Sequence, residues 1–413
     1  MGFIKQTDTG RWKAFWREPS GVQRSRTFRV KREASAFLAQ VETSKTTGAY
    51  VSPHAGRILF GDHARAWMAS WNSEETTTAR DTSIMRNHVI PKWGDWQLAK
   101  IDELSFQTWV AELSGKLARA TVAECKRLAS GVLRSAVKNR LIAHNPADDV
   151  RVPGRRVRDT DERIITRYEL RELLLPVVPA RYRALVATAA FTGLRWGEVV
   201  GLCADAVDLD AGIVRVIRTV VEVAGRTSFK PFPKSRAGRR TVPLPGWLVT
   251  MLRQYLEEYP SSDGALIFTN EAGGALRRTL FRSRVWRPSL VRAGLLGEVK
   301  IYVNEPFEAI WTDQDGNKSA QRFDSYRKAV EHVVRFQFGG LKFHDLRHSY
   351  GTWLADDGIA PNKVAKVMGH ENITTTMQLY VRRTEDHGAI LDVLNNTDDD
   401  PDEGGAGVPA RVD

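Results

Sequence analysis

The chain has 413 residues, too many for one ordinary domain, and its 42% hydrophobic and 9% aromatic content excludes a disordered protein. A net charge of +12 and a pI near 9.7 point to a polyanionic partner, with nucleic acid ahead of an anionic membrane surface. No window approaches the run of about twenty apolar residues that spans a bilayer, and "MGFIKQTDTGRWKAFW" has no signal-like apolar core, so a cytoplasmic protein is expected.

Residues 11–30, "RWKAFWREPSGVQRSRTFRV", alternate aromatic and basic residues around an "EPSG" turn, which predicts two or three short strands followed by a helix from Lys31 to about Glu42. Nine basic residues face three acidic ones over residues 1–39. The sheet is either a groove reader, contacting DNA through Arg11, Lys13, Arg17, Arg24, Arg26 and Arg29, or a solvated ribbon. "TTGAYVSPHAGR" is a linker that closes a module of residues 1–57.

Within residues 58–150, "FGDHARAWMASW", "TTTARDTSIMRNHV", "SFQTWVAEL" and "ATVAECKRLASGVLRSAVKNRL" each show helical apolar spacing, predicting four helices in a compact all-α domain. Cys125 here and Cys203 further on lie in apolar surroundings without metal-ligand spacing and read as reduced, buried thiols. "NPADDVRVPGRRVRDTDER" is an interdomain linker whose Arg155 and Arg156 suit a path along phosphates.

From 160 to 395 the pattern is α-rich with a small antiparallel sheet. Helices at Tyr168–Leu175 and Ala180–Ala190 lead into "TGLRWGEVVGL", then strand-like "IVRVIRTVVEV" and "RRTVPLP", then helices from Trp247 onward. The fold class is therefore multidomain α+β. Residues 396–413 form an acidic tail expected to be disordered.

Sliding the chain against itself by 295 positions lays residues 1–39 on 296–334 without a gap. Gly2/Gly297, Lys5/Lys300, Ala14/Ala309, Trp16/Trp311, Gly21/Gly316, Phe28/Phe323, Arg32/Arg327 and Ala34/Ala329 match, where composition alone gives about two or three matches. The matches fall where a strand–turn–strand–helix unit needs them.

Four further segments carry reactive side chains. "TGLRWGE" places Arg195 and Glu198 one helical turn apart, and "PKSRAGRRTVPL" sets Lys234, Arg236 and Arg239 on a basic hairpin. "FHDLRHSYGTW" puts His344 and Arg347 on one helix face, and "VMGHENITTTMQLYVRR" holds His370 and Tyr380. Singly, each has an ordinary reading: a surface ion pair, a solvated lysine, a core histidine, a packed tyrosine. His344 and His348 mimic a metal pair, but no third ligand is placed, and no metal is expected. Jointly they meet the needs of phosphodiester cleavage by a protein nucleophile. A hydroxyl attacks, guanidiniums hold the charge on five-coordinate phosphorus, an ammonium protonates the leaving oxygen, and imidazoles move the remaining proton.

In this order, the set resembles the tyrosine recombinases of the phage integrase family: Arg195, Lys234, His344, Arg347, His370, Tyr380. "RNHVIPKWGDWQLAKI" resembles that family's core-binding helical domain, and "GRWKAFWREPSGVQRSRTF" its arm-type DNA-binding module. The resemblance covers roughly residues 10–295 and 338–395. It implies that Arg195 and Arg347 clamp the scissile phosphate, with Glu198 a supporting acid. It makes Lys234 the general acid, His344 the base, His370 a phosphate donor and Tyr380 the nucleophile of a 3′-phosphotyrosyl link. That link conserves the bond energy, so no ATP, metal or other cofactor is implied. The implied partners are double-stranded DNA attachment sites, three further copies of the chain in a synaptic tetramer, and a DNA-bending protein or directionality factor. The implied setting is the nucleoid of a bacterial host. A type IB topoisomerase and a catalytically silent DNA-binding regulator are the rival readings.

The sequence departs from the family at about 296–337, where members pass by a short connection. In that second copy Lys13 has become Glu308, Arg24 Ser319, Arg26 Gln321 and Arg29 Asp324, leaving five basic against seven acidic residues. It is expected to be a folded excursion that packs on its own domain or touches a neighbouring subunit.

Overall fold

The computed structural model describes residues 2–19, 21–47, 50–52, 54–154, 163–230, 238–262, 264–303 and 305–381, with the backbone alone for 378–381. The chain forms two compact units, Met1–Thr160 and Asp161–Asp413. The linker residues Arg155 and Arg156 and the acidic tail lie outside the described residues. No helix among the described residues is long and apolar enough to cross a membrane.

The first unit opens with an antiparallel sheet, β1 (Phe3–Gln6), β2 (Trp12–Arg17) and β3 (Gln23–Phe28), backed by α1 (Lys31–Thr46). Strand alternation sends Ala14 and Trp16 into a small core with Ala34 and Leu38 of α1, where Trp16 Nε1 donates to Tyr50 Oη at 2.7 Å. The register sets Arg26 opposite Ala14 and Arg24 opposite Trp16, so these arginines share the face that meets α1. Arg24 pairs with the buried Glu18 at 3.1 Å, and the Arg26 guanidinium lies over Phe28 and Phe37. Lys13 and Arg17 project from the other face, beside stacked Phe3 and Phe15.

Four helical stretches follow: α2 (Phe60–Ala69), α3 (Glu75–Ile84) continuing through a π turn into α4 (Ile90–Trp93), α5 (Glu103–Ser114) and α6 (Arg119–Lys138). Asp102 caps α5 by accepting the Ser105 amide at 2.7 Å. Val122, Cys125, Leu128, Val132 and Ala136 recur along α6 on one face and bury against Trp93, Phe106 and Trp109, whose rings pack within 5.7 Å of one another. Burial pushes the Cys125 thiol up to about 11.

The second unit is built around α7 (Ala180–Thr192), where an alanine-rich sequence lets α9 (Gly246–Glu258) and α13 (Asp345–Asp356) pack against it. Two sheets flank the helices. The strand-like "IVRVIRTVVEV" forms two strands, β5 (Ile213–Val216) and β6 (Thr219–Val223): β5 lies between β4 (Val207–Asp208) and β8 (Arg240–Pro243), while β6 pairs with β7 (Arg226–Lys230). Between them Arg218 pairs with Asp205 at 2.8 Å, holding the chain where it changes sheets.

The predicted helix at Tyr168–Leu175 is a π turn over Glu169–Leu174, followed by a 3₁₀ turn over Leu175–Val177. Its cause recurs: the π turns Met85–Val89, Glu169–Leu174 and Arg282–Trp286 each end two residues before a proline, Pro91, Pro176 and Pro288. Proline has no amide hydrogen, and its ring crowds the preceding turn, so the helix widens there.

After α10 (Arg278–Phe281) and α11 (Arg287–Arg292) comes the repeated segment, β9 (Glu298–Lys300), β10 (Phe307–Thr312), β11 (Lys318–Phe323) and α12 (Tyr326–Phe336). β10 and β11 begin and end 295 residues after β2 and β3, and Phe307 faces Phe323 as Trp12 faces Phe28. Even the ring cluster persists, with Trp311, Phe323 and His332 standing where Trp16, Phe28 and Phe37 stand in the first copy. The segment packs on its own domain, one of the two placements expected for it. Ala309, Ala329, Val330 and Val333 belong to the same apolar core as α7 and α11. Buried Arg287 ties it down, donating to Val334 O at 2.9 Å, Gln337 O at 2.6 Å and Gly339 O at 3.0 Å.

Arg287→Ala strips donors from three carbonyls and should lower the unfolding free energy by about 2–4 kcal/mol. Arg327→Ala, which loses only an exposed pair with Glu331, should change it by under about 0.5 kcal/mol. Urea denaturation of the two variants measures the contrast.

A candidate phosphate-handling site

Two glycine-terminated helices build the site. α7 ends at Gly193 (φ 62°) and α14 (Pro361–Met368) at Gly369 (φ 68°), left-handed positions that glycine occupies without strain. A side chain at Gly193 would also run into the Tyr350 ring. The carbonyls at these helix ends serve as acceptors for guanidiniums. Arg347, on α13 and 3% exposed, donates to Gly193 O and Met368 O, both at 2.6 Å, and Arg195 donates to Gly369 O at 3.3 Å. Burial, and then the Arg195 charge, lowers the Arg347 pKa.

Arg195 stands at the N-terminus of α8 (Trp196–Val199), where the Glu198 carboxylate accepts both the Arg195 backbone amide and the Arg195 Nη1, each at 2.9 Å. Burial raises the Glu198 pKa, but the hydrogen bonds and charge of Arg240, and then those of Arg195, outweigh it and leave it lowered. Arg240 is the residue that sequence reading missed. It was passed over for its neighbours Arg236 and Arg239, yet strand alternation puts it on the face of β8 that carries the buried Val242.

His344 sits at the start of α13, its ring 5.0 Å from that of His348. Desolvation, then the charges of His348, Arg347 and Arg195, lower its pKa to about 4. His370 follows Gly369, and its Nδ1 lies 2.8 Å from the hydroxyl of the fully buried Thr376. Desolvation, then Arg347, Arg195 and Arg240, lower it to about 4 as well. Arg195, Glu198, His344, Arg347 and His370 thus converge from positions up to 175 residues apart, through the contacts just given and the shared electrostatic influence of the two arginines. Tyr380 lies on α15 (Ile373–Val381), although its side chain is outside the described residues, as are Lys234 and Arg236. Arg239 is exposed just before β8. Of the sheet residues, Lys13 and Arg17 are on the open face and Arg11 and Arg29 are exposed; on the other face Arg24 is half-buried and paired with Glu18, and Arg26, itself exposed, lies over Phe37 of α1.

A cluster of guanidiniums with neutral imidazoles beside it, on an α-rich scaffold, is a site for a phosphate-borne polyanion. The family model described as the phage integrase family matches residues 165–387, and the chain belongs to that family. Its activity is site-specific DNA recombination by a tyrosine recombinase. The chain is similar to a Mycobacterium tuberculosis protein described as a prophage phiRv2 integrase, with 29% identity over 272 residues, 63% of this chain and 70% of that one. Its fold is similar to that of the Tn1549 transposon integrase in complex with transposon right end DNA: TM-score 0.59, 17% identity, covering 82% of this chain and 99% of the other. It is also similar to that of a lambda integrase tetramer bound to a Holliday junction: TM-score 0.51, 16% identity, covering 92% and 94%.

Because both imidazoles titrate lower in the folded state, the unfolded chain binds more protons between about pH 4 and 6.5. Their stabilising contribution is therefore complete above the unfolded value near 6.5 and is lost as pH falls toward 4. Differential scanning calorimetry without DNA should show a melting temperature that is flat above about pH 7 and falls below 6.5. The fall should be shallower in His344→Asn/His370→Asn, with His63 and His332, also lowered by burial, and at the acid end the lowered Glu198 carboxylate carrying the remainder.

Proposed function

We propose that Tyr380 is the nucleophile that integrates or excises a phage or other mobile element, working within a tetramer on paired attachment sites. Its Oη bonds to the scissile phosphorus as the bond to the 5′-oxygen breaks, giving a 3′-phosphotyrosyl link and a 5′-hydroxyl. Lys234 supplies the proton that the leaving oxygen takes, and His344, neutral at pH 7, accepts the tyrosine proton. Arg195 and Arg347 donate to the non-bridging oxygens, with Glu198 orienting Arg195, and His370 gives a further hydrogen bond. Attack by the 5′-hydroxyl of the partner duplex reverses the chemistry and exchanges strands. The observation that carries this reading is the wiring of Arg195 and Arg347 to the carbonyls of two glycine-terminated helices, which fixes both cations before any DNA arrives.

Residues 1–57 act as an arm-type DNA module, residues 58–150 as a core-site binding domain and residues 160–395 as the catalytic domain. In the arm module Lys13 and Arg17 of the open face, with Arg11 and Arg29, meet the phosphates, while Arg24 is paired with Glu18 and Arg26 lies over Phe37 of α1. Residues 296–337 are not a second DNA reader. Glu308 stands where Lys13 does and accepts from Tyr302 Oη at 2.9 Å, and Arg322 pairs with Glu305 at 3.7 Å, so the strand face carries acids of its own beside its cations.

Tyr380→Phe should bind a nicked core-site duplex as wild type does but form no covalent adduct on denaturing gels, and Arg195→Ala and Arg347→Ala should each slow adduct formation by at least about 10²-fold. An adduct from Tyr380→Phe would place the nucleophile elsewhere. Absence of adduct from the wild type would favour a silent regulator, and relaxation of a plasmid lacking attachment sites a topoisomerase. Deleting residues 1–57 should spare core-site cleavage and abolish arm-site binding, a binding that in the intact protein weakens steeply with salt. Gel-shift titrations at two ionic strengths report both.

A further inference from the structure

We propose that Arg240 is a positioning residue that takes up the Glu198 carboxylate and so leaves the charge of Arg195 available to the scissile phosphate. The inference rests on Arg195 contacting that phosphate, as proposed above.

Glu198 and Arg240 are both inside the protein, with side chains 5% and 4% exposed, whereas the side chain of Arg195 is 44% exposed. One carboxylate therefore serves two guanidiniums in different surroundings. Arg240 approaches it with two nitrogens, Nη2 to Oε2 at 2.8 Å and Nη1 to Oε1 at 3.3 Å, while Arg195 reaches it with one guanidinium nitrogen, Nη1 to Oε1 at 2.9 Å. The better-buried, two-point partner takes the larger share of the negative charge, because a low-dielectric pair is screened least. Arg195 remains a cation anchored by Glu198 and not cancelled by it.

The same guanidinium fixes three segments. Arg240 Nε donates to Val367 O at 2.7 Å, on the helix that ends just before His370, and Nη1 donates to Gly238 O at 3.1 Å, on the approach to β8. Together with Glu198 on α8, these contacts make Arg240 the joint between α8, α14 and the chain entering β8.

Counting Arg195, Glu198, Arg240 and Arg347, the wild-type cluster carries two net positive charges. Arg240→Gln leaves one, since Glu198 must then pair wholly with Arg195. Glu198→Gln/Arg240→Gln returns to two, with a Gln–Gln hydrogen bond available in place of the ion pair. The balance of charge, and not the ion pair itself, is what cleavage should follow.

The test is single-turnover cleavage of a nicked core-site duplex, its sequence taken from the junctions of the element, at a temperature where circular dichroism shows every variant folded. Arg240→Gln should cleave about 10²-fold more slowly, the scale of a lost transition-state donor, with the affinity for the duplex unchanged. The double variant should recover at least about tenfold of that loss. On a duplex whose scissile phosphate is replaced by a methylphosphonate, one charged oxygen is gone, so the penalties of Arg240→Gln and Arg195→Ala should both shrink to within about threefold. A purely structural role predicts the same penalty on both substrates. An undiminished penalty on methylphosphonate, or a double variant no faster than Arg240→Gln, overturns the proposal. If Arg195→Ala cleaves phosphate as fast as wild type, the phosphate-contact reading fails instead.

Discussion

Gathering guanidiniums of like charge in one partly buried site is the constraint on which the catalytic unit depends. Each must keep its charge, since charge is what a pentacoordinate phosphorus needs, yet each must lose water. The fold resolves this with backbone carbonyls more than with carboxylates. Gly193 O and Met368 O receive Arg347, Gly369 O receives Arg195, and Val367 O and Gly238 O receive Arg240. A carbonyl dipole solvates a cation without neutralising it. Glu198 is the one carboxylate bonded to these three arginines among the described contacts, and it is shared between two of them.

This explains why the helices end where they do. The left-handed glycines at 193 and 369 turn the chain abruptly and leave the carbonyls around them without helical partners, and it is these that the arginines collect. The start of α8 does the same for an amide, giving the Arg195 N–H to Glu198. Sequence around "TGLRWGE" and "VMGHEN" is therefore as much about exposing backbone atoms as about supplying side chains.

How far the sequence could be read depended on whether a residue's part follows from its type or from its partner across space. The order of Arg195, His344, Arg347 and His370 was legible as chemistry, and the four helices of residues 58–150 were legible from their apolar spacing. The three π turns were within reach too, since each precedes a proline by two residues. The part of Arg240 was not read because a run of cations invites a single explanation, although its alternation with Val242 separates it from Arg239. That Arg24 and Arg26 share the face with Ala14 and Trp16, opposite Lys13 and Arg17, depends on hairpin register, which residue type does not fix. The repeat showed in its aromatic frame, but its fusion into the neighbouring core runs through Ala309, Ala329, Val330 and Val333, small or commonplace residues that carry no such mark.

The register-for-register repeat has a consequence for biosynthesis. One chain contains two three-stranded sheets whose central strands, β2 and β10, have the same length and the same pairing with the strand that follows, so each central strand is a competitor for the other's neighbours. Translation keeps them apart. With 295 residues between equivalent positions, the first copy emerges from the ribosome about 15–60 s before the second at about 5–20 residues per second, long enough for a small sheet and helix to close. Refolding from denaturant removes that head start and lets both copies compete at once, so a mispaired sheet is a trap that belongs to the test tube more than to the cell.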